Sequence, residues 1–356
     1  MAKVLAIETS CDETAASVVS NSENFYKIHS NVIASQIKDH SVWGGVVPEL
    51  AARKHLELIP YVIDQALSDS NMSIEEVDAI ASTVAPGLVG SLRIGLISAK
   101  SLCFLHSKPF LGIHHLEGHL SSILFSDNHP KPPFLVLLVS GGHTELIKVG
   151  RNKKMERLGR SFDDAAGEAF DKVGRLLGLS YPGGPAIEKI AKYGDSLRFN
   201  LPKCKISNKK GGYFKYDFSF SGLKTAVLRL IEKINITDEK LPINDIAASF
   251  ERVVAEVLVE RSMNCAIDHK LQDLVVVGGV AANKTLRKMM ITEAHEKSIR
   301  VYLAPLSLCT DNAAMIGAAA LSRFSCGNCS SSLQLGVSAR LPIEQAMSLY
   351  DKNPPF

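Results

Sequence analysis

The segment Leu111 to Leu120, LGIHHLEGHL, sets two histidines, His115 and His119, four residues apart. On a helix that spacing brings the imidazoles within about 40° of one another, so both can reach one ion. Zinc proteases built on H-E-x-x-H need an acid directly after the first histidine, and Leu116 stands there instead. Glu117 follows one position later and, at about 100° per helical residue, points elsewhere. The protease reading is weakened. Taken alone, the pair reads either as half of a metal site or as two surface or capping histidines.

A third ligand lies far along the chain. Asp311, in Cys309-Thr310-Asp311-Asn312-Ala313-Ala314, opens a helix of small residues. It serves either as that helix's N-cap or as the carboxylate of a His-His-Asp site with open coordination positions. Two hydroxyl-bearing turns add a possible anion site. Glu8 to Thr14 lies between the apolar runs Val4–Ile7 and Ala15–Val19, and Phe134–Val149 repeats the plan around Ser140-Gly141-Gly142. In each, a serine and a threonine stand four apart, Ser10 with Thr14 and Ser140 with Thr144. Two such hairpins suggest two lobes built alike, each offering backbone N–H groups and hydroxyls to an anionic ligand.

The elements that must position these groups alternate between strand and helix. Pro48 opens a helix with Leu50, Ile59, Val62, Ile63 and Ala66 inward. A strand over Asp78 to Ala85 leads to Pro86-Gly87, after which Ser91 or a neighbour caps a helix running through Leu105. The short strand Pro109 to Ile113 delivers the histidine motif. Asp163 and Asp164 are placed to cap a helix from Ala165 to Leu177 that carries Asp171, and Pro182-Gly183-Gly184-Pro185 forces a turn before another helix. A long helix over Asn244 to Lys270 precedes Leu274–Val277, apolar on every side and so a central strand. Gly278-Gly279 and Asn283 follow, either as a tight turn or as a place where backbone and carboxamide meet a ribose or phosphate. Such alternation predicts an α/β sheet with ligands at strand ends.

Composition bounds the rest. A chain of 356 residues exceeds one ordinary core, so two lobes are expected. A net charge of +3 means that any RNA contact comes from a local patch, and Lys203 to Lys215, with Tyr213, Phe214 and Tyr216, is the basic aromatic loop that suits RNA. The alternative for that stretch is a solvated insertion beside a β-hairpin. Seven cysteines, an odd number, fit reduced thiols, and Cys326 with Cys329 reads as a loop because no second pair completes a zinc site. No apolar run spans a bilayer, and the N-terminus enters a strand at once without room for a signal peptide, so a cytoplasmic protein is expected. Neither G-x-G-x-x-G nor a Walker A motif occurs, which argues against a dinucleotide enzyme or a P-loop ATPase.

In order along the chain stand VLAIETSCDET, GGVVPELAARKH, PGLVGSLRIG, HHLEGH, LVSGGHTEL, DDAAGEAFDKVGRLLGL, FSFSGLKTAV, VVVGGVAANKTLR and CTDNAAMIG. Together they resemble the bacterial family of tRNA threonylcarbamoyladenosine synthesis transferases, once labelled glycoproteases. The resemblance implies an actin-like ATPase fold of two duplicated lobes with nucleotide in the cleft between them. Expected boundaries are 1–132 and 133–323 for the lobes and 324–356 for a C-terminal tail, to which no chemistry is assigned. It implies metal ligands at His115, His119 and Asp311, holding iron or zinc, and nucleotide or substrate contacts at Leu138, Val139, Ser140, Gly141, Gly142, Asp171, Gly184 and Asn283. The implied reaction moves threonylcarbamoyl from threonylcarbamoyl-AMP to the exocyclic amine of the adenosine 3′ to the anticodon, in tRNAs reading codons that begin with A. Implied partners are tRNA, a paralogous actin-like protein (TsaB-like) and a small ATPase (TsaE-like), with a separate synthase supplying the intermediate. Asp12 and Glu13 are the candidate proton acceptors. Two other readings stay open: a metal-dependent glycoprotein endopeptidase and a non-catalytic nucleotide-binding scaffold.

Overall fold

Residues 1–22, 25–207, 211–236, 240–324 and 329–350 are described by the computed structural model, which divides into two units. The first comprises Met1–His129 together with Pro305–Phe356, and the second Pro130–Ala304.

In the first unit the apolar runs form β1 (Ala2–Glu8), β2 (Glu13–Ser22), β4 (Ala79–Ala85) and β5 (Phe110–His114), with the half-exposed β3 (Phe25–Ser35) at one edge. Their order is β3-β2-β1-β4-β5; β1 to β3 run antiparallel, and β1, β4 and β5 run parallel. Helices α1 (Ile37–Ser41) and α2 (Pro48–Ser70, Pro48 in its first turn) precede β4, α3 (Val89–His106) links β4 to β5, and α4 (His115–Ser121) starts where β5 ends. No hydroxyl caps α3. Ser91 is buried inside its first turn, and its Oγ has no hydrogen-bond partner.

The second unit repeats this arrangement. β6 (Phe134–Val139), β7 (Thr144–Val149), β8 (Met155–Arg160), β9 (Asp273–Val277) and β10 (Arg300–Leu303) stand in the order β10-β9-β6-β7-β8. Again the first three run antiparallel and the first, fourth and fifth parallel. The helices are α5 (Ala166–Leu176), α6 (Gly183–Ala191), α7 (Ser221–Ile236), α8 (Ile243–Asp268) and α9 (Lys284–Glu296). Asp163 and Asp164 do not cap α5, whose N-cap is Ala165. Asp163 instead accepts from the backbone N–H of Phe220 at 2.8 Å, and Asp164 pairs with Lys172 at 2.6 Å, so tertiary partners win over the local cap.

The chain from Pro305 onward groups with the first unit. Helix α10 (Ala313–Phe324) belongs to the first unit because its small residues let it lie directly on β1 and β2: a Cβ on Gly317 would collide with Val19. The segment after it is equally committed. Ser331 N donates to Phe110 O at 2.7 Å, Gly112 N donates to Ser331 Oγ at 2.9 Å, and Ser338 N donates to Val84 O at 3.0 Å. Of the expected C-x-x-C loop, Cys326 lies outside the described residues, as do Lys209 and Lys210 of the basic loop. Ser331 Oγ also donates to Leu349 O at 2.6 Å, so one buried hydroxyl joins the sheet edge to the chain's last turn. Ser331→Ala leaves a buried N–H and a carbonyl without partners and is expected to cost about 2 kcal/mol in urea unfolding; a loss within about 0.5 kcal/mol would show that the segment does not brace the sheet.

Candidate functional site

Helix α4 begins at the end of β5, so His115 and His119 sit on its inner face, 6% and 0% exposed. Asp311 comes to them from the turn ahead of α10. It is not the cap: Asn312 Oδ1 accepts from Met315 N at 3.0 Å, which leaves the Asp311 carboxylate to face the imidazoles. Asp311 Oδ1 lies 3.1 Å from His119 Nε2 and 3.7 Å from His115 Nε2, and one ligand atom from each residue falls within 4.8 Å of the others. An ion with bonds of about 2.1 Å in tetrahedral geometry separates its ligands by about 3.4 Å. The fit is close. Among the described residues neither ring nitrogen of the fully buried His119 makes a hydrogen bond, and Nε2 has only the ion-pair contact with Asp311, so the ligand atoms of the three residues face one another. Unpaired buried imidazole nitrogens are costly, and a cation is what two imidazoles and a carboxylate so arranged can hold.

Glu8, at the C-terminal end of β1, is the residue that motif spacing missed. Its buried carboxylate accepts from Ser10 N at 2.5 Å and from the Thr83 hydroxyl, and lies 3.3 Å from His115 Nδ1. Ser10 Oγ stands 3.1 Å from the same nitrogen. A carboxylate on Nδ1 fixes the tautomer that leaves Nε2 for a metal. Burial favours neutral forms of both groups. The mutual attraction outweighs it, holding Glu8 below the usual carboxylate range and raising His115 to about 9, with Asp311 the larger contributor for the histidine. A glutamate closing a strand before a polar turn was the available signal, but nothing local tied it to a histidine 107 residues away.

Asp12 and Glu13 form the following turn. Burial and the negative charges of Asp311 and Asp12 hold the Glu13 carboxyl well above its ordinary range. Glu117 also has a structural partner. It forms a buried ion pair with Arg323 of α10, with Nε at 2.6 Å and Nη2 at 2.5 Å from Oε1, and the Tyr350 hydroxyl stands 3.4 Å from Oε2. That removes the endopeptidase's general base and gives the misplaced acid a purpose: it ties the helix bearing both histidines to the helix that follows Asp311.

The remaining expected contacts lie in the second unit, at one end of its sheet. Leu138 and Val139 end β6 fully buried. In the turn beyond, Ser140 Oγ accepts from His143 N at 3.2 Å and Thr144 Oγ1 from Ala166 N at 2.9 Å, so these hydroxyls serve the protein. Gly141 and Gly142 are exposed, and among the described residues their N–H groups make no backbone hydrogen bond. Gly278, with φ 97°, ends β9 against the Val139 backbone, where a Cβ has no room. Asp171 accepts from Gly183 N at 2.7 Å at the start of α6, and Gly184 follows in that first turn rather than in a loop. Asn283 caps α9, accepting from Leu286 N at 2.9 Å, while its Nδ2 donates to the buried Glu251 at 2.7 Å. Thr285 donates to the same glutamate at 2.8 Å. A groove of about 910 Å³ opens beside them, lined by Pro185, Glu188, Arg252, Lys284, Thr285 and Lys288 among others, a volume that suits a nucleotide.

Two five-stranded sheets of one topology, flanked by helices, define the actin-like ATPase fold. The activator component A of (R)-2-hydroxyglutaryl-CoA dehydratase from Acidaminococcus fermentans superposes with a TM-score of 0.51 at 14% identity, over 90% of this chain and 97% of that one. HypF of T. kodakarensis gives 0.60 at 15%, over 90% of this chain and 48% of that one. The family model of the tRNA N6-adenosine threonylcarbamoyltransferases (TsaD) matches residues 27–318. Proteins carrying that name in Prochlorococcus marinus strains MIT 9312, MIT 9515 and NATL1A are 76%, 75% and 63% identical over the full length of both chains. The chain belongs to this transferase family.

If the Glu117–Arg323 pair sets the spacing of α4 and α10, Arg323→Met strands a buried carboxylate and should cost about 3 kcal/mol. The double variant Glu117→Met/Arg323→Met should recover most of that stability in urea titrations while binding zinc more weakly than wild type. Equal zinc affinity in the double variant would separate the pair from the metal centre.

Proposed function

We propose that the chain catalyses transfer of the threonylcarbamoyl group of threonylcarbamoyl-AMP to N6 of the adenosine 3′ to the anticodon, in tRNAs reading codons that begin with A. The observation that carries it is the convergence of His115, His119 and Asp311, with neither nitrogen of buried His119 in a hydrogen bond among the described residues, in a chain of this family. One divalent ion per chain, Fe²⁺ or Zn²⁺, supplies a Lewis acid for an acyl carbonyl when bound there. Glu8 keeps His115 in the metal-binding tautomer. The N–H groups of Gly141 and Gly142 take the donor's phosphate, beside the buried ends of Leu138 and Val139.

Asp171, Gly184 and Asn283 hold the nucleoside, with the neighbouring groove accommodating the rest of the nucleotide. Asp171 and Asn283 act partly through backbone, since each already fixes a helix N-terminus. Asp12 or Glu13 accepts the proton that the adenosine amine loses as the new N–C bond forms and AMP departs.

Partners follow from the same reading: tRNA as acceptor, a paralogous actin-like (TsaB-like) protein, a small (TsaE-like) ATPase and an upstream synthase, all in the cytoplasm. Among the described residues no helix is long and apolar enough to cross a membrane. Support for a protein partner comes from α2 and α3, whose outer faces expose Leu56, Tyr61, Ile97 and Phe104 at 60% or more. Ile97→Asp with Phe104→Glu should weaken binding of the paralogous protein by roughly 100-fold in calorimetry, because apolar anchors carry most of such an interface. Undiminished binding would place the partner elsewhere.

Replacing His115 or His119 by Ala should abolish zinc binding and reduce tRNA modification by roughly 100-fold or more, with circular dichroism unchanged. The assay combines the chain and its partners with threonine, bicarbonate, ATP and unmodified tRNA, then weighs the digested nucleosides. Undiminished modification by either variant retires the metal mechanism.

A further inference from the structure

Among the described residues of the basic aromatic loop, the lysines already have partners: Lys203 pairs with Glu256 at 3.0 Å and Glu260 at 3.6 Å, Lys215 pairs with Asp268, and Lys205 lies over the Tyr213 ring, its Nζ 5.7 Å from the centroid. Two exposed rings stand beside them. Phe214 is 37% exposed and lies against Phe162, 51% exposed, with ring centroids 5.4 Å apart and planes at 35°. The guanidinium of Arg160 stands 5.3 Å from the Phe162 centroid.

These rings rest on a braced backbone. Phe162 N donates to Phe218 O at 3.0 Å and Phe214 N to Ile206 O at 2.9 Å. The platform also adjoins the site already described. Ser161, next to Phe162, donates its N–H to Thr144 O at 2.8 Å, and Thr144 closes the turn that carries Gly141 and Gly142. The nearby carboxylates of Asp163 and Asp217 are engaged with backbone N–H groups, and their negative charge disfavours a phosphate there. An uncharged, flat ring suffers no such penalty.

We propose that Phe162 and Phe214, with Arg160, form a stacking surface for unpaired nucleobases of an RNA acceptor. The proposal rests on the functional reading above and deepens it, by assigning acceptor contact to π-faces rather than to lysines. Sequence-specific and loop-directed RNA recognition works this way, with splayed bases laid on aromatic rings and guanidinium planes. Stacking adds affinity without neutralising phosphates, so it leaves the salt dependence of binding untouched.

The test uses the full chain with an unmodified tRNA transcript, measuring affinity by anisotropy across a salt series. Phe162→Ala and Phe214→Ala should each weaken binding roughly tenfold. The slope of log K against log salt should stay that of wild type, as should thermal unfolding and the affinity for AMP. Phe162→Trp should retain wild-type affinity, which a merely structural ring would not predict. Unchanged tRNA affinity in the double alanine variant overturns the proposal, as does a shallower salt slope, which marks a phosphate contact. Loss of the paralogous protein with tRNA affinity intact also overturns it, making this a protein interface. A wild-type chain that binds no tRNA overturns the functional reading with it, whereas wild-type binding with unaffected variants overturns this surface alone.

Discussion

The cluster of His115, His119 and Asp311 depends on one packing constraint: α10 must lie close enough to β1 and β2 for the turn ahead of it to reach α4. Ala313, Ala314, Gly317, Ala318, Ala319 and Ala320 make that approach possible, because side chains no larger than a methyl let the helix backbone sit near the sheet. Asp311 is thereby delivered to histidines nearly two hundred residues earlier. Gly118 on α4 performs the matching task, since a Cβ there would press on Ile316 of α10. Small residues on both helices therefore belong to the site's geometry although none of them touches a ligand.

Around that contact, two buried carboxylates are each matched with a basic side chain. Glu8 answers His115, and Glu117 answers Arg323. An isolated buried carboxylate would cost several kcal/mol, so each pairing lets a charge persist in the core while fixing a distance. One sets the orientation of an imidazole. The other sets the separation of two helices. The Arg323 guanidinium also lies over the Tyr350 ring, 5.4 Å from its centroid, extending the brace into the C-terminal segment, to which no chemistry is assigned from the sequence.

Strands and long helices were legible from local pattern, since Val4–Ile7, Leu274–Val277 and the helix after Pro48 owe their form to short-range periodicity and turn chemistry. The duplicated hairpins were legible too, and the two sheets share one topology. What local pattern could not supply was tertiary choice. Ser91 looks like a cap and is buried inside a helix; Asp163 looks like a cap and binds a distant backbone; Asp311 and Asn312 are adjacent capping types, and only the fold decides which one caps. Glu8 escaped notice for the same reason, because its meaning depends on a partner brought by β5. Lys203 and Lys215 of the basic loop show the same dependence on the fold: charge counted along the chain does not register the acids that α8 brings to meet these two.

The two hairpin turns, alike in sequence, have come to different uses. In the first, Ser10 and Thr14 spend their hydroxyls on His115 and His55, so that turn organises imidazoles. In the second, Ser140 and Thr144 spend theirs on backbone N–H groups, which hold Gly141 and Gly142 in place with their own N–H groups exposed. Gly167 allows this by letting α5 approach, since a Cβ there would lie 2.6 Å from Ser140 O. Hydroxyls that already have partners cannot reorganise when a ligand arrives, and a site whose dipoles are fixed in advance loses little on binding an anion. The same pair of residue types thus orients imidazoles in one unit and a glycine turn in the other, and the difference lies in which neighbours each hydroxyl finds.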